Sequence, residues 1–163
     1  MKSSEKLISA AKAGDEQSVA KLLDEGTDIT SALEHGITGL HYAAKAGHDS
    51  VVRKFLKYGI DVNIRARTFR RFTALMYAAE EGHEKTVRIL LDHGADPNIR
   101  DNLFQYTAMM WAAEKNHELI FAELLWQGFH SDEEINMAFL LIAKEYKRYK
   151  NIFEMLVYWL KGN

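Results

Sequence analysis

The chain repeats itself. Thr38-Gly-Leu-His-Tyr-Ala-Ala-Lys-Ala-Gly-His48 returns as Thr73-Ala-Leu-Met-Tyr-Ala-Ala-Glu-Glu-Gly-His83 and again as Thr107-Ala-Met-Met-Trp-Ala-Ala-Glu-Lys-Asn-His117. The steps are 35 and 34 residues, and Ala10-Ala-Lys-Ala-Gly14 stands 33 residues before Ala43-Ala-Lys-Ala-Gly47. A period of this size constrains the fold more than any composition does. Each copy is one supersecondary unit that cannot bury its apolar face alone, so the copies must stack into an array with a continuous core.

Inside each copy the apolar residues recur at helical spacing. Leu7, Ala10 and Ala11 mark one helix face; Val19, Leu22 and Leu23 mark a second. The second face returns as Val52, Phe55 and Leu56, as Val87, Leu90 and Leu91, and as Phe121, Leu124 and Leu125. Gly26, Gly59, Gly94 and Gly128 follow at matching positions, where glycine supplies the left-handed residue after a helix. Two helices per unit therefore each carry one apolar stripe. The expected division is one domain over 1–163: a polar N-terminal capping repeat (1–30), internal repeats at 31–63, 64–98 and 99–130, and a C-terminal capping helical pair (131–163). A capping box at Ser131-Asp-Glu-Glu134 opens that last pair.

These residues resemble the ankyrin repeat family. Thr-x-Leu-His-x-Ala-Ala at Thr38 and Gly-Ala-Asp-x-Asn at Gly94-Ala-Asp-Pro-Asn98 carry the likeness, which covers about residues 4 to 130. Gly39, Ala74 and Ala108 stand where the family has Pro, and Met76 and Met110 replace the His of two copies. The resemblance implies an all-α ankyrin solenoid of helix-turn-helix units with projecting β-hairpin-like turns, and a protein that binds other proteins.

Composition narrows function further. The net charge is −2, so no global field favours nucleic acid or a membrane surface. No cysteine is present, which excludes disulfides, iron–sulfur clusters and thiol chemistry. The start, Met1-Lys-Ser-Ser-Glu-Lys6, lacks the apolar core of a signal peptide, and no apolar run is long enough to span a bilayer. The sequence reads as a soluble cytoplasmic protein, monomeric when free; an exported mature form, in a bacterial periplasm for example, would begin in the same way.

Catalytic or metal chemistry finds no foothold in the pattern. His41, His48, His83, His93 and His117 sit at repeat-defined turn positions, and the resemblance implies backbone hydrogen bonding for them. No two histidines have the i, i+4 spacing of a helical zinc site. Glu80, Glu81 and Glu114 lie where an open polar face is expected, and no phosphate loop, nucleophile elbow or HExxH occurs. The reading is a non-enzyme without cofactor or metal.

The turns between units deviate from the pattern, and the deviations point to binding. From Thr30 to Thr38 the interval is 8 residues, but from Asn63 to Thr73 it is 10 and from Asn98 to Thr107 it is 9. Both enlarged turns lack the glycine that Gly36 supplies in the first. One carries Arg65, Arg67, Phe69, Arg70, Arg71 and Phe72 with no acid; the other carries Leu103, Phe104 and Tyr106. Arginine and aromatics on loops of a rigid scaffold are the usual material of binding hot spots. Phe72 and Tyr106, next to the threonines, are equally open to a reading as packing between turns.

Helix geometry adds a second surface. If Leu40, Ala43 and Ala44 face the core, Tyr42 and Lys45 face the hollow under the turns, and so do Tyr77, Glu80 and Glu81, then Trp111, Glu114 and Lys115. That aromatic stripe is either recognition surface or packing between first helices. The expected function is a protein–protein interaction module that holds a folded partner with an acidic patch, as an inhibitor or protector of a partner enzyme. Its rivals are a scaffold or self-assembly role and nucleic-acid binding through the arginines, the latter disfavoured by the acidic residues of the groove.

Overall fold

The computed structural model describes residues 2–31 and 36–127. These form eight helices in four pairs: α1 (Ser3–Ala13) with α2 (Glu16–Asp24), α3 (Gly39–Ala46) with α4 (Asp49–Lys57), α5 (Ala74–Glu81) with α6 (Glu84–Asp92), and α7 (Ala108–Glu114) with α8 (Glu118–Gln127). The capping pair expected over 131–163 lies outside the described residues. First helices α1, α3, α5 and α7 pack in sequence against one another, and second helices form a parallel outer row. This is the all-α repeat solenoid that the period demands.

First helices α3, α5 and α7 each start on a threonine in extended conformation, where α1 starts on Lys2, and each threonine is held there locally. Thr73 and Thr107 accept the backbone N–H of Met76 at 3.3 Å and of Met110 at 3.5 Å through their hydroxyls. In α3 a capping box adds a reciprocal bond: the Thr38 N–H donates to His41 Nδ1 at 3.1 Å. A backbone N–H can only donate, so Nδ1 is the acceptor and the proton sits on Nε2, which donates to the Ile64 carbonyl at 3.0 Å. His41 is wholly buried, and that burial pushes its imidazole down to about 4 against the raising effect of the Ile64 carbonyl.

The small residues of the repeated Ala-Ala pairs let first helices approach closely, since helix separation follows the side chains at the contact. Ala11, Ala43, Ala44, Ala78, Ala79 and Ala112 are fully buried between them. Between the two rows lie Leu7, Leu40, Leu75, Val52, Phe55, Leu90 and Phe121, also inaccessible. Gly39, one of the departures from the family pattern, has a packing reason: a Cβ there would meet the Phe55 ring at 2.3 Å.

A second element of register runs from unit to unit. His48, His83 and His117 each donate from Nε2 to a carbonyl of the preceding unit, Lys12, Lys45 and Glu80, at 3.0, 3.0 and 3.1 Å. Each ring lies over the glycine that ends the preceding first helix; a Cβ on Gly14, Gly47 or Gly82 would come within 2.9 Å of it. The glycine–histidine pairs of the repeats are therefore interlocks across units, and the histidines make the backbone hydrogen bonds that the family likeness implies.

Candidate functional site

The two enlarged turns, 64–72 and 99–106, are closed by single backbone bonds, Ala66 N–H to the Phe72 carbonyl and Asp101 N–H to the Tyr106 carbonyl, both at 2.9 Å. Loops of this length need further ties to be rigid, and they have them. In the second of the two, buried Asp101 accepts four N–H groups: Leu103 at 2.6 Å and Phe104 at 2.8 Å on Oδ1, Tyr106 and the Trp111 indole at 3.0 Å each on Oδ2. A carboxylate so surrounded fixes the loop by charge-assisted bonds.

Arg65 ties that turn to its neighbour. Its guanidinium donates to the Arg71 carbonyl within its own turn (3.1 Å), and to the Arg100 carbonyl (2.6 Å) and Asn102 Oδ1 (3.2 Å) in the next. The Asn102 N–H returns a bond to the Arg70 carbonyl at 2.9 Å. The two tips consequently form one platform. On it Phe69 is 77% exposed, Phe104 55% and Leu103 40%. Arg67 and Arg71 are exposed beside them, and their side chains make no hydrogen bond or ion pair among the described residues.

Not every arginine of the basic turn is available. Against the expectation that four cations stand there without local compensation, Arg70 reaches down from the tip to Glu80 at 2.6 Å. Its guanidinium lies 3.9 Å from the Phe72 ring centre and 4.5 Å from that of Trp111. Glu80 is correspondingly almost covered rather than part of an open polar face, with a side chain 11% exposed.

Three aromatics expected at a partner contact are also interior. Phe72 is completely buried, Tyr77 is 7% exposed and Trp111 4%. Trp111 is the centre of a ring cluster with Phe72, Phe104 and Tyr106, at centroid distances of 5.1 to 5.9 Å, and Phe72 also meets Tyr77 edge-on. These rings form the floor that supports the tips, which is the packing alternative; Tyr106 is half-buried among them. Burial raises the Tyr77 and Tyr106 phenols above the usual range, so both stay neutral. Of the aromatics in the stripe, Tyr42 alone is half-buried rather than interior; Glu81, Glu114 and Lys115 are exposed at its edge.

On the groove face the residue after the Ala-Ala pair reaches the aromatic of the next unit in the first two units. Lys12 Nζ lies 4.1 Å from the Tyr42 ring centre and Lys45 Nζ 5.8 Å from that of Tyr77. Glu80, third in that register, cannot stack as an anion on Trp111 and recruits the cation Arg70 instead. Lys45 also faces Glu81 at 3.6 Å. Sequence reasoning placed Lys45 on this face but did not reach Lys12, Asp101 or Asn102. The signals were present: the pentapeptide Ala-Ala-Lys-Ala-Gly occurs twice, and Asp101 is the one acid in the two enlarged turns.

Among the described residues no three of His, Asp or Glu are grouped to hold a metal ion, and no helix is long and apolar enough to cross a membrane. The family profile of ankyrin repeats, in three copies, matches residues 7–101, more than half of the chain. The chain is 38% identical over 65 residues to E3 ubiquitin-protein ligase XBAT32 of Arabidopsis thaliana, which is 39% of this chain and 13% of that protein. It is 44% identical over 61 residues to ankyrin repeat domain-containing protein 40 of Homo sapiens, 37% of this chain and 17% of that one. With palmitoyltransferase AKR1 of Naumovozyma castellii the identity is 43% over 58 residues, 35% of this chain and 8% of the relative. The chain thus spans under a fifth of the length of each of these relatives.

Proposed function

Since the chain belongs to the ankyrin repeat family, whose repeats are generally protein–protein interaction modules, we propose that it holds a folded partner protein against the platform made by its two enlarged turns. The observation that carries this is Phe69, 77% exposed on a tip that Arg65 and Asn102 tie to its neighbour. A large aromatic held open on a rigid support loses little entropy on docking, and such side chains dominate interface energetics. Arg67 and Arg71 beside it favour a partner whose contact region is acidic around an apolar centre. A projecting stiff edge suits insertion into a cleft, and that supports the finer reading of an inhibitor or protector of a partner enzyme over a scaffold.

Nucleic-acid binding draws less support, because Arg65 and Arg70 are occupied within the protein. With Arg67 and Arg71 left at the tip, the logarithm of affinity for a single strand would fall with log salt by a slope of only about 1.4.

The test is capture of a partner from the source organism with the native chain and with Phe69→Ala, followed by calorimetry on the purified pair. Phe69→Ala should weaken binding at least about tenfold and shift the melting temperature by no more than about 1 °C. Unchanged affinity in Phe69→Ala would remove the tip from the interface.

A further inference from the structure

The exposed apolar side chains of the platform present a few hundred Å² at most, short of the roughly 800 Å² per partner that a stable interface uses. A partner that docks on the tips therefore needs contact elsewhere, and the groove face adjoins them where Arg70 reaches from the tip to Glu80. Its open end is a cavity of about 300 Å³ lined by Lys12, Tyr42, Lys45, Ala46 and Glu81. We propose that this slot receives a carboxylate side chain of the same partner; the proposal rests on the docking reading and gives it a second, chemically defined contact.

Charge and register support the assignment. The position after the Ala-Ala pair is Lys12, Lys45, Glu80 and Glu114 along the array, so the groove is basic at one end and acidic at the other. At the acidic end Glu80 has its counter-charge built in as Arg70. At the basic end Lys12 has no carboxylate within reach among the described residues: its ammonium is placed over the Tyr42 ring, a contact that orients a cation without neutralising it. Lys45 is matched by Glu81 at 3.6 Å, both about half exposed, a pair weak enough for an incoming carboxylate to share. Lys12 and Lys45 both line the one opening, with Glu81 beside Lys45. Its volume suits a Glu or Asp side chain with part of its backbone, and its exposed rim suits a group carried on a larger surface.

The experiment uses a probe of known composition, acetyl-tetraglutamate amide, with acetyl-tetraglutamine amide as its uncharged counterpart. Both are titrated at low salt into the full chain, with backbone and lysine side-chain resonances observed by NMR. Saturable shifts at Lys12, Tyr42, Lys45 and Ala46 with the Glu peptide only are expected, weakened at least fivefold in Lys12→Gln and absent in Lys12→Gln/Lys45→Gln. Both substitutions are on exposed side chains and should leave the circular dichroism unchanged. No response at the slot, or an equal response to the Gln peptide, overturns the proposal; equal saturation by a thymidine decanucleotide overturns it in favour of phosphate.

With a purified partner the two surfaces separate. Lys12→Glu/Lys45→Glu should weaken its binding at least tenfold at low salt. Full affinity in that variant alongside loss in Phe69→Ala overturns the slot and leaves tip docking standing. The reverse result overturns the tip and leaves the slot.

Discussion

Two residues before its N-cap threonine, the first inter-unit turn has Gly36 at φ 61°; the second and third have Arg71 at φ 52° and Gln105 at φ 59°. The residue at this position has a left-handed φ in all three and the solution differs. Gly36 takes the left-handed conformation without steric cost, and it must lack a side chain also because Arg67 lies against it: a Cβ would sit 2.4 Å from the Arg67 Cβ. Arg71 and Gln105 pay the left-handed penalty and have an arginine on the carbonyl, Arg65 Nε to Arg71 at 3.1 Å and Arg100 Nη1 to Gln105 at 3.0 Å. The enlarged turns thus exchange a glycine for a longer side chain and a bracing guanidinium. On the proposed docking, the strain is kept at residue 71 because its side chain meets the partner.

The sharpest test of the bracing is Asp101, on which the third turn depends and in whose place the second turn has Ala66. Asp101→Ala leaves four N–H groups without their acceptor, one of them the Trp111 indole at the centre of the ring cluster. A loss on the order of 4 kcal/mol is expected by urea denaturation, with the Phe104 resonances broadened. A loss under about 1 kcal/mol would mean that the turn holds itself.

His41 separates the turns in another way, because it anchors the start of the second turn through the Ile64 carbonyl, while buried Met76 and Met110 occupy its position in later units. In the fold His41 stays neutral to about pH 4, whereas in the unfolded chain it takes up a proton near 6.5. Between those values the unfolded state binds more protons, so stability present above pH 6.5 falls as pH falls towards 4, by on the order of 3 kcal/mol. Urea titrations across that range should show the slope, and His41→Met should flatten it. An unaltered slope in the variant would assign the acid sensitivity to other histidines or to carboxylates.

Gly36→Ala should cost about 1–2 kcal/mol, since it adds the left-handed penalty and presses a methyl group on Arg67. A neutral result would show that the first turn relaxes freely and that its glycine is no constraint.

How far the sequence showed all this follows from what its pattern encodes. The repeat period and the Ala-Ala, Gly-His and second-helix positions were legible because each is a local solution repeated unit by unit. The enlarged turns were legible as deviations, and Phe69 and Phe104 as exposed residues of their tips. What periodicity could not give was which deviant side chains turn inward. Phe72, Tyr77 and Trp111 look like a surface stripe by helix geometry, yet the turns fold over them. Arg70 looks uncompensated because Glu80 is 10 residues away in sequence and in contact in space.

The smallest effect is the most informative about function. Arg71→Gly removes a left-handed cost of about 1 kcal/mol, partly offset because glycine gives the unfolded chain more freedom to lose. The Arg65 bond to the residue 71 carbonyl is a backbone contact and survives the change. Net stability should therefore rise by about 0.5 kcal/mol, or 1–2 °C in melting temperature, while affinity for the acidic partner falls and its association slows most at low salt. That opposition distinguishes a residue kept for binding from one kept for the fold. A drop in stability would show that the Arg71 side chain is structural, and the comparison with Gly36 would then lose its meaning. Arg71→Lys holds the charge at the same φ, so it should keep the association rate and gain no stability.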